Sequence, residues 1–266
     1  MDWFYALPAW LGLFLTIITC VAIACAGHVA VRRYFQNDDF IGHNDVAGFI
    51  VAVVGVMYAV LLAFLTVIVW EHFAQAEERA QEEVNAATDV WRFVPLLPAR
   101  EAGEIRDDLG RYTAVVAGDE WPKLRNGESS AEAQRLIIRL IADAASAPAN
   151  GAQQSNLQNH LLDRVQVMAD LRRHRIGDSR SGIPTVLWVG LLTGAVTLIG
   201  FLYLFVVKNF TAQLLMTAAT AAMIGISFGL ILELDYPFRG HVSVSPERWV
   251  ALHEEITRPT VSAPPD

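Results

Sequence analysis

The chain has 266 residues, of which 53% are hydrophobic and 18% charged, and its formal net charge is −8. Soluble domains are usually about 45–50% apolar, and here the excess is concentrated in long uncharged blocks, as in membrane proteins. The negative charge and the lack of a basic patch argue against nucleic-acid binding, which needs cations for the phosphates. The two cysteines, Cys20 and Cys25, both lie in the first apolar block. We therefore expect neither a disulfide framework nor a CxxC metal site.

The first apolar block predicts a retained membrane span over residues 8–31. No basic residue precedes the block, and the block is too long for the apolar core of a cleaved signal peptide. Trp3, Tyr5 and Trp10 at its start and Arg32-Arg33 at its end are typical of the two membrane interfaces.

The second block predicts one long helix that begins in the membrane and ends in water. Residues 46–70 carry no charge, and at about 1.5 Å per residue such a helix crosses a bilayer. Asn44 and Asp45 are good helix caps. No proline or turn cluster follows Trp70, so we expect the helix to continue to about Val94.

The aqueous half of this helix carries a heptad-like stripe and an acidic face. The stripe consists of Phe73, Glu77, Ala80, Val84, Ala87, Trp91 and Val94. Such a spacing favours helix association and predicts a homo-oligomer. The acidic residues are Glu71, Glu77, Glu78, Glu82 and Glu83. We interpret them as a solvated helix face, with an acidic vestibule as the alternative.

Three further helices are predicted before the third span, at residues 99–117, 130–145 and 156–176. A break is expected before each of them, at Pro95–Pro98, at Gly118 to Trp121-Pro122 and at Ala147–Ser155. Residues 177–182 are interpreted as a turn-rich connector.

The last two spans are predicted at residues 183–207 and 210–232, and a short helix is expected from Pro246, with Ser245 as its cap, to about Ile256. The link Lys208-Asn209 is too short to let the two spans be anything but antiparallel neighbours. The pairs Gly190/Gly194 and Gly225/Gly229 have the small-xxx-small spacing that allows helices to approach closely. Five hydroxyl residues could line an aqueous path or bond their own helix carbonyls, and the second reading is the more common. They are Thr193, Thr197, Thr217, Thr220 and Ser227.

The sequence thus predicts an all-α, four-span membrane protein made of two hairpins with a helical insertion between them. The predicted domains are the first hairpin (1–70), the helical insertion (71–182), the second hairpin (183–232) and a tail (233–266). With four spans, both termini and the insertion lie on the same side. Near-membrane arginines on that side outnumber the basic residues of the short loops, which favours cytoplasmic termini. They are Arg79, Arg172, Arg173, Arg175, Arg180, Arg239 and Arg248.

No motif in the chain resembles an active site, so we expect no enzyme. Glu233 and Asp235 follow the last span directly, and they could gather cations, or simply solvate a helix end beside Arg239. The seven histidines are scattered and form no HExxH motif. A channel, a membrane scaffold or signalling component, and a membrane-embedded enzyme remain as classes. Because no span carries a charge at its centre, the enzyme and the proton-coupled transporter are disfavoured, while a channel is not.

Four stretches together resemble the bestrophin-like family of bacterial membrane proteins. They are residues 71–96, residues 112–122 with Glu120-Trp121-Pro122, Arg172-Arg173-His174-Arg175 with Ile183-Pro184 and Leu187-Trp188, and Leu234–Gly240 with Val244-Ser245-Pro246. The resemblance covers most of the chain from Val46 to Trp249.

The resemblance implies a distant relation to bestrophins, which are oligomeric anion channels with four spans, a central pore and a large helical cytoplasmic portion. It therefore implies a homo-oligomeric channel for small inorganic ions in the bacterial inner membrane, with a non-conducting scaffold as the alternative. In bestrophins the second span lines an apolar neck. Helical spacing places candidate pore-lining residues at Ile50, Val54, Met57, Leu61 and Phe64.

The resemblance leaves the sign of the ion and the role of the tail open. The acidic helix after the second span would repel anions by an amount that salt reduces. Glu233 and Asp235 alone do not reproduce a bestrophin calcium clasp, so we expect no metal and no cofactor. We interpret residues 233–240 as a membrane-exit motif, in which Asp235 and Arg239 pin the chain. The motif consists of Glu233, Asp235, Pro237, Phe238, Arg239 and Gly240.

Overall fold

The structure, a computed structural model, describes residues 5, 7–34, 44–148, 151–204 and 209–258. Within these residues every regular element is helical. In chain order the elements are α1 (Ala9–Tyr34), α2 (Asn44–Phe93), a 3-10 turn (Val94–Leu96), α3 (Ala99–Val115), a π-helical segment (Val116–Glu120), α4 (Trp121–Leu124), α5 (Ala131–Ser146), α6 (Ala152–Arg180), α7 (Thr185–Tyr203), α8 (Phe210–Leu234) and α9 (Glu247–Thr257).

Four helical stretches are long and apolar enough to cross a membrane. They fall in Ala9–Tyr34, Gly48–Leu96, Ala152–Tyr203 and Phe210–Leu234. The predicted all-helical, four-span fold is therefore confirmed.

The chain divides into two compact units. The membrane unit comprises Met1–Phe73, Gly182–Tyr236 and Gly240–Val242. The insertion unit comprises Ala74–Ser181, Pro237–Arg239 and Ser243–Asp266. The helix α2 contributes its first part to the membrane unit and its last part to the insertion unit.

The core of the membrane unit is built from aromatic and branched aliphatic side chains of α2, α7 and α8. Its buried members are Tyr58, Leu65, Val69, Leu191, Leu198, Ile224, Phe228 and Ile231. The hydroxyl groups of two tyrosines donate hydrogen bonds to helix carbonyls. Tyr58 donates to Leu191 at 3.1 Å, and Tyr203 donates to Ala24 at 2.7 Å. These bonds satisfy phenols that lipid could not hydrate.

Glycines let α8 approach α1 closely. A Cβ on Gly225 would lie 2.8 Å from Cα of Ile17, and one on Gly229 would lie 2.5 Å from a Leu13 methyl group. Gly194 on α7 receives the ring of Tyr58, whereas a Cβ on Gly190 would meet nothing within 4 Å. The predicted close approach is thus found at Gly225, Gly229 and Gly194, and Gly190 does not contribute to it within one chain.

The start of α8 shows how the sequence sets a helix boundary. The side chain of Asn209 accepts hydrogen bonds from the backbone N–H groups of Thr211 at 3.0 Å and Ala212 at 3.2 Å. These are two of the amides that have no partner inside the helix. The other half of the predicted link, Lys208, lies outside the described residues.

Two helix ends that the sequence predicts in the insertion unit are wrong. We expected a helix to stop near Gly118 and the chain to leave at Trp121-Pro122, but the helical path runs through the π-helical segment into α4. Pro122 is tolerated because it stands in the first turn of α4, where its missing N–H is not needed. Likewise, α6 passes through Gly177 to Arg180 instead of ending in a connector.

Most of the heptad-like stripe of α2 packs against other parts of the same chain. Ala80, Val84, Ala87 and Val94 are all buried within the insertion unit. The stripe therefore reflects intramolecular packing and gives no support of its own to self-association. The predicted solvated acidic face is wrong for one residue, because Glu83 is 0% exposed. The other four glutamates, Glu71, Glu77, Glu78 and Glu82, are exposed.

Candidate functional site

The candidate pore-lining residues form an apolar stripe on the membrane part of α2. Ile50, Met57, Leu61 and Phe64 are 41%, 69%, 37% and 66% exposed, respectively. Separations of seven, four and three residues place them on one side of a helix. Val54 differs from them, since it is half-buried and packs against the core of the membrane unit.

The side of α2 that carries Tyr58, Leu65 and Val69 faces the core of the membrane unit, and these residues are at most 5% exposed. Core packing thus fixes the rotation of the helix about its axis. As a result the stripe of Ile50, Met57, Leu61 and Phe64 is left uncovered by its own chain.

Four of the five hydroxyl residues of the last two spans bond to their own helix. Thr197, Thr217, Thr220 and Ser227 each donate to the carbonyl four residues earlier, at 2.8–3.1 Å. The prediction that such groups bond their own helix is confirmed for these four residues. In the described part of the chain, no three residues among His, Cys, Asp and Glu could hold a metal ion.

The membrane-exit motif contributes two carboxylates and a turn to the membrane unit. Glu233 and Asp235 are 8% and 6% exposed, so they do not simply solvate a helix end. Oδ1 of Asp235 accepts the backbone N–H of Ile183 at 2.6 Å, just before α7. A carboxylate at this position satisfies a backbone donor and favours the start of the helix. Gly240 has φ of +78°, a left-handed conformation that glycine adopts without strain.

The middle of the motif, Pro237 to Arg239, belongs to the insertion unit. Phe238 packs edge-to-face on Trp121 with 5.7 Å between the ring centroids. The N–H of Val244 donates to the carbonyl of Pro237 at 2.9 Å, and the indole N–H of Trp121 donates to the carbonyl of Val244 at 3.0 Å. The guanidinium of Arg239 lies beside Gly127. These contacts hold the segment from Pro237 to Val244 against the indole of Trp121.

A buried ion-pair network occupies the centre of the insertion unit. Arg172 binds Glu120 through two nitrogens, at 3.1 and 2.6 Å. Arg175 binds Glu83 through two nitrogens, at 2.6 and 3.1 Å, and Glu120 at 2.8 Å. All four side chains are at most 3% exposed. We call Glu83, Glu120, Arg172 and Arg175 the ion-pair network.

Further polar groups bond to three members of the network. The hydroxyl of Tyr112 donates to Glu83 at 3.0 Å, and the N–H of Ser130 donates to Glu120 at 3.0 Å. Arg172 also donates to Oε1 of Gln134 at 2.5 Å. The guanidinium of Arg175 lies 4.9 Å from the ring centroid of Trp121, where the aromatic face attracts a cation.

The surrounding charges favour the ionised forms of Glu120 and Arg175. Burial by itself raises the pKa of Glu120, but Arg175, Arg172 and the Ser130 N–H outweigh burial, and the pKa is lowered. Burial would lower the pKa of Arg175, but Glu83 and Glu120 raise it. Burial and Glu83 raise the pKa of Tyr112 well above its usual value, so its hydroxyl remains a donor.

The π-helical segment brings two consecutive carboxylates to the start of α5. Asp119 accepts the Oγ hydroxyl of Ser130 at 2.6 Å, while Glu120 accepts the backbone N–H of the same residue. Residues one apart point in different directions on a regular α-helix, and the wider π-helical turn allows both to reach Ser130. Lys123 and then Ser130 hold the pKa of Asp119 below its usual value. Negative charge at this position suits the N-terminus of α5.

Sequence reasoning missed the network. Glu83 was expected on a solvated face, and Arg172 and Arg175 were counted among near-membrane cations. A signal was present, since Arg172 and Arg175 are three residues apart on one helix and are too long and polar to be buried without acidic partners. Which glutamates would pair with them depends on the folding of distant helices.

The fold and these sites define an all-helical, four-span membrane protein with an insertion that is held by buried ion pairs. The Bestrophin-like domain matches residues 15–249, so the chain belongs to this family. None of the curated proteins matches the sequence.

Solved structures agree with the family assignment. A bacterial Bestrophin homologue from Klebsiella pneumoniae is 14% identical with a TM-score of 0.68, over 90% of this chain and 97% of the homologue. Another structure of a homologue from that organism, phased with zinc, is 16% identical with a TM-score of 0.62, over 92% and 95% of the two chains. A crystal structure described as a membrane protein is 14% identical with a TM-score of 0.65, over 90% and 96%. At these identities the likeness shows the fold.

Proposed function

We propose that the chain forms a homo-oligomeric ion channel of bestrophin-like architecture. The observation that carries this proposal is the apolar stripe of Ile50, Met57, Leu61 and Phe64, which a single chain leaves uncovered. Copies arranged around an axis would bring these stripes together into a narrow apolar constriction, with Val54 at its edge. Hydrophobic constrictions can gate ions by dewetting and need no charged lining.

The proposed location is the bacterial inner membrane, with the termini and the insertion in the cytoplasm. We propose the domain boundaries predicted from the sequence, with residues 71–182 as a cytoplasmic domain and 233–266 as a cytoplasmic tail. Arg172 and Arg175 no longer count toward this orientation, because buried glutamates neutralise them. The remaining near-membrane arginines still outnumber the basic residues of the short loops, which supports the same orientation.

Reconstitution in liposomes tests the proposal directly. We expect purified protein to conduct, and separate measurements of chloride and potassium flux assign the ion sign. Met57→Trp should block the flux because it narrows the constriction. Val56→Trp is the matched control, since Val56 is 63% exposed but lies on another side of α2 and should leave the flux unchanged.

Two results would contradict the proposal. Silence for both ions, with the intact oligomer confirmed, would favour a scaffold that acts through its cytoplasmic helices. If Met57→Trp and Val56→Trp block ion flux equally, a large side chain anywhere in this span perturbs the protein. The stripe would then not be shown to line the pore.

A further inference from the structure

An open apolar groove runs along the outer surface of the membrane unit near the end of α1. Its volume is about 450 Å³. The floor is formed by small or aliphatic side chains of α1, including Ala26, Val29 and Ala30, and by Leu214 of α8. Because Ala26 and Ala30 are short, the surface is hollow where larger residues would fill it.

The groove ends at two residues that can bind a polar group. Arg33 and Tyr34 line it at the last turn of α1, and both side chains are exposed. The neighbouring Arg32 is already engaged, with its guanidinium 4.7 Å from the ring centroid of Phe210. Arg33, in contrast, forms no ion pair with any residue that the structure describes.

We propose that this groove binds an anionic glycerophospholipid. In a bilayer an apolar hollow on a spanning helix is filled by hydrocarbon, and here an acyl chain would lie along Ala26, Val29 and Ala30. The exposed cation at the interfacial end would attract the phosphate of the headgroup by its opposite charge. The phenol of Tyr34 suits the same depth, since tyrosine is enriched at the level of the headgroups. The proposal depends on membrane insertion alone and does not require conduction.

Native mass spectrometry of the full chain in detergent tests the proposal. The probes are phosphatidylglycerol and phosphatidylethanolamine with identical acyl chains. We expect the chain to bind phosphatidylglycerol preferentially and Arg33→Gln to weaken that binding about fivefold, the usual effect of one basic residue near anionic lipid. Arg32→Gln is the matched control and should stay within about twofold of the parent chain. Ala30→Phe should reduce binding of both lipids because the ring fills the groove.

Three outcomes would overturn the proposal. If Arg32→Gln and Arg33→Gln weaken binding equally, the attraction belongs to the basic helix end and not to the groove. If Ala30→Phe and Ala26→Leu both leave lipid binding unchanged, no acyl chain lies there. If they instead dissociate an oligomer in the same spectra, a second copy of the chain occupies the groove. Thermal melts of each variant establish that it is folded.

Discussion

At the residue scale, the ion-pair network is the feature that most constrains the insertion unit. Removing four charges from water has a large desolvation cost, and mutual attraction offsets it only when the geometry is good. Here both arginines bind carboxylates through two nitrogens, and Glu120 is shared between them. One arrangement of α2, α6 and the π-helical segment satisfies all these bonds. We infer that the network selects the register of these helices more than it adds stability.

Breaking the network should be strongly destabilising. We expect Arg175→Met to lower the free energy of unfolding by about 3–5 kcal/mol, because Glu83 would stay buried without its cation. Arg173→Met is the matched control, since Arg173 is exposed and pairs with Asp170 on the same helix. The control should change stability by about 0–1 kcal/mol. Denaturation of the solubilised protein measures both, and similar losses would show that the network is not special.

The lowered pKa of Glu120 predicts a dependence of stability on pH. The usual pKa of a glutamate is 4.5, and the value in the folded protein lies lower. The carboxylate therefore contributes stability that is fully present above pH 4.5 and is lost as the pH falls through the folded pKa. Melting temperatures measured from neutral to acidic pH should fall steeply below that point. Glu120→Gln should be less stable at neutral pH and show a weaker acid dependence, and an unchanged dependence would contradict the assignment.

At the element scale, helix contacts in the two units follow different rules. In the membrane unit α8 approaches α1 through Gly225 and Gly229, because lipid gives helices no hydrophobic drive to associate and close backbone packing replaces it. In the insertion unit α2 buries Ala80, Val84 and Ala87 in the core of that unit. One helix thus meets both environments, and its residue pattern changes accordingly.

Gly225 and Gly190 should respond differently to substitution. Gly225→Ala places a methyl group 2.8 Å from Cα of Ile17, so α1 and α8 must then move apart. We expect a loss of about 1–3 kcal/mol, typical of overpacking. Gly190→Ala is the control and should be neutral within one chain, because no contact within 4 Å of the added Cβ is found in the part of the chain that the structure describes. Thermal stability in detergent compares the two. If only Gly190→Ala is destabilising, then Gly190 packs against another subunit.

At the scale of the whole molecule, the chain carries a membrane unit with an uncovered apolar stripe and an insertion unit whose core is complete. The stripe faces either lipid or a shared pore. The conduction proposal requires the second, so it predicts that water reaches Met57.

Cysteine accessibility distinguishes the two environments. In a background where Cys20 and Cys25 are replaced by alanine, Met57→Cys should react with a membrane-impermeant thiol reagent in the assembled protein. Val56→Cys should not react, although Val56 is as exposed as Met57 in a single chain, 63% against 69%. Reaction at neither position would mean that water does not reach the stripe, which contradicts the prediction. Reaction at both would mean that α2 is not held in one rotation.

The sequence by itself determined the all-helical, four-span class and the family. Spans depend on the local length and apolarity of each block, and both can be read along the chain. Most helix positions followed for the same reason, although Gly118 and Gly177 were wrongly expected to end helices. Helical geometry tolerates single glycines when neighbouring elements pack against them.

Only the tertiary structure decided which residues are buried and paired. Glu83 has the same local pattern as Glu82, yet the first is buried on Arg175 and the second is exposed. The partners are 92 residues apart, so no local pattern could indicate their contact. The rotation of α2 about its axis was likewise undetermined until Tyr58, Leu65 and Val69 packed into the core. Local physics specifies elements, whereas long-range packing specifies which face of each element is buried.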